Sequence, residues 1–447
     1  MSRFRFRSAA SHRWWLRWTV LLPVALLVLA AAVTAGAAVR EANTVEVVTF
    51  YPEGAPDYNN LVAINRSFEA THPGIKTKTT FGGGQGAPNI LARWRAGNPP
   101  EVNVGFFGRG PEAEAYATSG QLVDLTSAMN RVLPKAHGYG SKVKWKDAML
   151  PAVKPFVTLK NKYYAVPSEI TAITFFYNRA IFKRAGLAAP QTWEQFLAVC
   201  KKLKAGGVAP LTVTGTFNGY MQLYFDYLLA RRVGTAPVLD AIAGKRTFAS
   251  IKGVAAAAAN LQTLVKKGYF LRGFQATDFT AAQLNFFQGK AAMILMGTWL
   301  EGEMKDSIPP GFELGTFPFP GVPGGKGNGV VFGAVNARTV AAKSDNPQLG
   351  VEWLRYSARQ DIQRARIKYL QYISPYKGVK TDPKYALLQK SFEGGSGGAF
   401  ETSYFGVFSQ PKGRRDAYQV PIAELFFGKL NATQMVRKIS LGLTANR

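Results

Sequence analysis

From residue 44 onward, short apolar runs alternate with segments whose apolar positions recur every three or four residues. That alternation predicts strands and helices in turn, the pattern of an α/β protein. Val45–Tyr51 (VEVVTFY) is rich in β-branched and aromatic residues and reads as a strand. Leu61, Ile64 and Phe68 share one face of a following helix, which His72-Pro73-Gly74 stops. Ile75–Phe81 and Glu101–Phe107 read as further strands, with helices over Ile90–Ala96 and Ala113–Ser119. Trp193, Phe196, Leu197, Cys200 and Leu203 fall at i, i+3, i+4, i+7 and i+10 of another helix. Thr192 and Gln195 supply its capping box and Gly206-Gly207 its stop. The spacing puts Cys200 on the apolar stripe, as a buried thiol rather than a nucleophile. Pro318–Gly329 and Gly394–Gly398 read as loops, Val330–Asn336 as a strand, and Pro347 as the first residue of a helix.

The first residues break this pattern. Arg3, Arg5, Arg7, Arg13 and Arg17 come without an acid, and 22 uncharged residues then separate Arg17 from Arg40. Residues 1–42 are expected to be a signal peptide or an uncleaved membrane anchor, with the remainder exported. Tethering to the cytoplasmic membrane by that helix is compatible with the length of the run. A chain of 447 residues needs more than one core. Its single cysteine excludes an intramolecular disulfide, and His12, His72 and His137 show no metal-ligand spacing.

Residues 1–38 hold five arginines and no acid, so 50 basic and 27 acidic residues remain, a net +23. The basic residues are scattered in short clusters and accompany no nucleic-acid-binding motif, so nucleic acid is not the expected partner. The chain contains no G-x-S-x-G, H-E-x-x-H or phosphate-loop signature. Catalytic residues, metals and cofactors are accordingly not expected.

Several segments in order resemble the carbohydrate-type extracellular solute-binding proteins of ABC importers, the group that contains maltose-binding protein. They are Tyr163–Leu187, Thr192–Leu211 and Phe286–Glu301 (FFQGKAAMILMGTWLE), then Phe317–Gly321 (FPFPG) and Gly333–Ser344 with Trp353-Leu354. The family's lipid-anchoring cysteine is missing. The resemblance implies a two-lobed, type II periplasmic-binding-protein-like fold with a hinge between the lobes. Lobe 1 is expected over residues 44–170 and 333–373, and lobe 2 over 171–332 and 374–447. Chain crossings are expected near Glu169–Thr171, Val330–Ala334 and Ile373–Tyr376. It also implies a monomer that presents a sugar to the membrane permease of an ABC importer. An anionic solute, such as a glycerol phosphate or acidic sugar, and a secreted carbohydrate-active enzyme stand as alternatives.

A sugar site needs aromatic faces for ring C–H surfaces and polar groups for hydroxyls. Trp299 matches the family's stacking tryptophan, with Glu301 two positions on. Tyr51 and Glu53 end the first strand, where α/β folds place ligands. Gln85 follows the second strand's glycines, Phe107 and Arg109 follow the third strand, and Glu169 sits in the expected hinge. Asn218 and Tyr220 lie in an expected loop Thr216–Tyr220, and Tyr404 follows the 394–398 glycines.

Overall fold

A computed structural model describes residues 43–83, 88–105, 111–370, 372–393, 400–402, 405–407 and 410–446. The expected signal or anchor segment, 1–42, lies outside the described residues. Among the described residues no helix is long and apolar enough to cross a membrane.

Strand β1 (Thr44–Thr49) leads into helix α1 (Pro56–Thr71) and strand β2 (Lys76–Phe81), and β3 (Val102–Val104) follows. The long strand β4 spans Val166–Asn178. Helix α2 (Trp193–Ala205), strand β5 (Ala209–Thr212) and helix α3 (Asn218–Val233) come next. Strands β6 (Ala291–Gly297), β7 (Leu314–Phe317) and β8 (Val331–Val340) precede helix α4 (Gln360–Leu370). The strands run in the order β2-β1-β3-β8-β4-β6-β5, with β7 paired to β4. Parallel β1–β2, β1–β3 and β5–β6 pairs carry helical crossovers, as α/β connectivity requires.

One strand joins the two halves of this arrangement. β4 pairs antiparallel with β8 over Val166–Ala172, then with β6 and β7 over Ile173–Asn178. All but one of its residues are buried, so no polar alternation marks it. The segment at Ile373 approaches the same place, its carbonyl accepting a 2.9 Å hydrogen bond from the Ile170 amide. Three passages of the chain thus lie side by side.

Local sequence signals act as expected in several elements. Leu61, Ile64 and Phe68 are buried on α1. The Thr192–Gln195 capping box is present on α2, where Cys200 is fully buried and burial pushes its thiol up. The strand expected to end at Asn336 continues to Val340. Arg338 is buried there, its guanidinium 5.1 Å from the Trp353 ring centre and attracted by the Glu169 carboxylate.

Tertiary packing changes one reading and tightens another. Thr216–Tyr220 is not a loop throughout: Asn218 begins α3 and Tyr220 lies in its first turn. That helix is buried around almost its whole circumference, so it carries no apolar stripe to read. The Pro318–Gly329 segment is held rather than free. Arg231 of α3 donates to the carbonyls of Phe319, Gly327 and Val330 at 2.7–3.2 Å. A Cβ on Gly327 would stand 2.2 Å from the Ala230 carbonyl oxygen, so this close approach requires glycine.

Candidate solute-binding cleft

Where β1, β4, β8 and the end of β6 converge, a cleft of about 820 Å³ opens. Its size lies within the range of small-molecule sites. Tyr51 follows β1, and Asp57 sits in the first turn of α1. Thr171 comes from β4, and Ala334 and Asn336 come from its antiparallel neighbour β8. Tyr220, Phe279, Trp299 and Glu301 also line it, as do Tyr369 and Tyr372, at and beyond the end of α4.

The position of Trp299 explains the Gly-x-Trp pattern. A Cβ built on Gly297 would lie 2.2 Å from the Trp299 ring, so the indole rests directly on a backbone without a side chain. Trp299 remains half-buried and lines the cleft. Beside it Tyr220 stacks on Phe279, with ring centroids 5.3 Å apart, and Phe217 meets Tyr220 edge-on at 5.7 Å. Aromatic faces of this kind provide apolar area while leaving hydroxyl groups at the edges.

Polar groups surround these rings. Lys384 forms an ion pair with Glu301, whose Oε2 also accepts from the Tyr385 hydroxyl at 3.3 Å. Glu303 accepts a 3.0 Å hydrogen bond from Gln283, and burial raises its pKa. At the floor, Asp57 Oδ2 accepts from the Tyr372 hydroxyl at 3.2 Å. Burial, then the nearby Glu169 carboxylate, pushes the Asp57 carboxyl up to about 6.

Beneath the floor, Glu169 is 1% exposed and does not line the cleft. Its carboxylate accepts from Asn336 Nδ2 at 2.7 Å and pairs with Arg366. Burial opposes its ionisation, but Arg366 and Arg338 outweigh that cost and hold its pKa below the usual value. Arg366 also donates to the Ser168 carbonyl at 2.5 Å and to Asn60 at 3.1 Å.

Of the residues singled out in the sequence, Tyr51, Tyr220, Trp299 and Glu301 are brought together in the cleft. Glu53 is exposed on the turn after β1, and half-buried Asn218 is not part of the lining. Gln85, Phe107, Arg109 and Tyr404 lie outside the described residues. Sequence reasoning missed Asp57, Phe279, Tyr369 and Tyr372. The aromatic run before Ile373 was the available signal for the last two; Asp57 had none beyond its place after β1. Among the described residues no group of three or more His, Cys, Asp or Glu could hold a metal ion.

Comparison with known proteins agrees with this architecture. Residues 41–364 match the family described as bacterial extracellular solute-binding protein. A multiple sugar-binding protein of Streptococcus mutans is 26% identical over 330 residues, covering 72% of this chain and 73% of the relative. An ABC transporter extracellular-binding protein of Pyrococcus horikoshii is 26% identical over 353 residues, 74% of this chain and 71% of the relative. The solved structure of a chitin oligosaccharide binding protein superposes with a TM-score of 0.70 at 22% identity, covering 90% of this chain and 98% of that one. The fold is therefore the two-lobed type II solute-binding fold, and the class to which it points is one of exported binders rather than enzymes. With most of its length matched, this chain belongs to the bacterial extracellular solute-binding protein family.

Proposed function

We propose that this protein captures a sugar or oligosaccharide in the cleft and presents it to the membrane permease of an ABC importer. The observation that carries the reading is the Trp299 indole, seated on Gly297 and facing a cleft with further aromatic rings and hydrogen-bonding groups. Relatives named for sugar binding support it. In this reading Trp299 and Tyr220 stack on sugar rings, while Tyr51 and Glu301 meet hydroxyls. Gln85, Phe107, Arg109 and Tyr404 are proposed as further contacts from their sequence positions, and Glu53 and Asn218 as rim groups. Glu169 acts from below through Asn336.

The lobes proposed are residues 44–170 with 333–373, and 171–332 with 374–447. Bending at the three adjacent passages then closes the lobes over the solute, stabilised by contacts made only in the closed state. The protein works as a monomer outside the cytoplasmic membrane. Residues 1–42 direct its export, as a cleaved signal or a retained anchor; the mass of the exported form separates the two. Titration calorimetry with neutral oligosaccharides tests the function: binding without turnover is expected, and turnover of any bound sugar contradicts it.

A further inference from the structure

We propose that Asp57 is a specificity-determining residue of the cleft, accepting a hydrogen bond from a ligand hydroxyl and selecting uncharged sugars over acidic ones. This rests on the sugar-capture reading above. Asp57 lines the cleft but is only 8% exposed. Its Oδ2 is engaged by Tyr372, whereas Oδ1 has no hydrogen-bond partner. Arg366 pairs with Oδ1 only at 4.0 Å, and gives its hydrogen bonds to Ser168 and Asn60 and its close ion pair to Glu169. An ionised carboxylate is an acceptor only, so a buried oxygen of this kind is satisfied by a donor, which a sugar hydroxyl supplies.

The same carboxylate opposes an anion. Among the described lining residues Asp57, Glu301 and Glu303 are acidic, and Lys305 is the single cation. Lys384, the cation next to Glu301, is committed to that carboxylate. The chain as a whole is strongly basic, so the acidic lining is local and opposite in sign to the body. A uronate or phosphate placed over Asp57 brings like charges together, and Arg366 beside it is already paired with Glu169, a juxtaposition that disfavours the acidic partner.

The test is titration calorimetry of the exported protein and its Asp57→Asn and Asp57→Ala variants against raffinose, maltotriose, xylotriose, chitotriose and trigalacturonate. The wild type is expected to bind at least one neutral trisaccharide, and trigalacturonate about a hundredfold more weakly. Asp57→Ala is expected to weaken the neutral sugar about 10- to 100-fold, the worth of a hydrogen bond to a charged group. Asp57→Asn, which keeps the shape, is expected to narrow the gap between neutral and acidic ligands while leaving the sugar-free unfolding midpoint near that of wild type. Discrimination between the two ligand charges is a readout that a purely structural role for Asp57 does not move. Wild-type affinity in both variants, or equal wild-type affinity for trigalacturonate, overturns the assignment to Asp57 alone. A wild type that binds none of the five overturns sugar capture itself, and this inference with it.

Discussion

Glu169 and Arg366 form an ion pair beneath the cleft, with side chains only 1% and 5% exposed. Arg366 simultaneously holds the Ser168 carbonyl of β4 and the Asn60 side chain of α1, so one guanidinium fastens β4 to the helix that carries Asp57. Removing one partner of such a pair leaves a buried charge uncompensated. Arg366→Ala is therefore predicted to lower unfolding free energy by about 3 kcal/mol or more in urea denaturation. A loss below about 1 kcal/mol, the worth of an exposed pair, contradicts this role.

Gly297 sets the position of the Trp299 ring. Adding one methyl group at Gly297 places it 2.2 Å from the indole, so the ring must move. Gly297→Ala is predicted to weaken sugar binding about tenfold or more, and to change Trp299 fluorescence, measured as the difference from a Trp299→Phe background. Unchanged affinity contradicts the account of the Gly-x-Trp pattern.

Binding is expected to depend on pH through Asp57. Its carboxyl titrates near 6 and faces Tyr51, Tyr372, Glu169, Arg366 and Arg338 from the surrounding elements. The ionised form accepts the ligand hydroxyl, so affinity is full well above 6 and is lost as pH falls through it. Between pH 7.5 and pH 5 a decrease of about tenfold follows from the ionised fraction. Burial also raises the Glu303 carboxyl, so the component due to Asp57 is the part that Asp57→Asn abolishes. An identical profile in wild type and Asp57→Asn contradicts it.

Cys200 is fully buried on α2, and burial pushes its thiol above the usual range. It is predicted to stay unreactive toward a thiol reagent in the folded protein and to react on unfolding. Stoichiometric labelling under native conditions contradicts this.

The sequence is most legible where local and global preferences coincide. The α2 stripe, its capping box and the first strand–helix–strand unit could be read from spacing alone. Helix α3 could not, because burial on nearly all sides removes the 3.6-residue contrast on which such reading depends. Within the cleft, the aromatic Trp299 and Tyr51 sit at strand ends and were visible for that reason. Asp57, Tyr372 and Arg366 become site residues only through assembly. Arg366 lies 198 positions from Ser168, whose carbonyl it holds, and nothing in either local segment announces the partner. Glu169 shows the converse: a hinge carboxylate that looked available for ligand is committed to Asn336 and Arg366.

The most direct test of sugar capture in this cleft is titration calorimetry of wild type and Trp299→Ala with the same neutral trisaccharides. Wild type is predicted to bind at least one, and truncating the platform to weaken it by about 2 kcal/mol, roughly 30-fold. Binding that is absent in wild type, or undiminished in Trp299→Ala, contradicts the account.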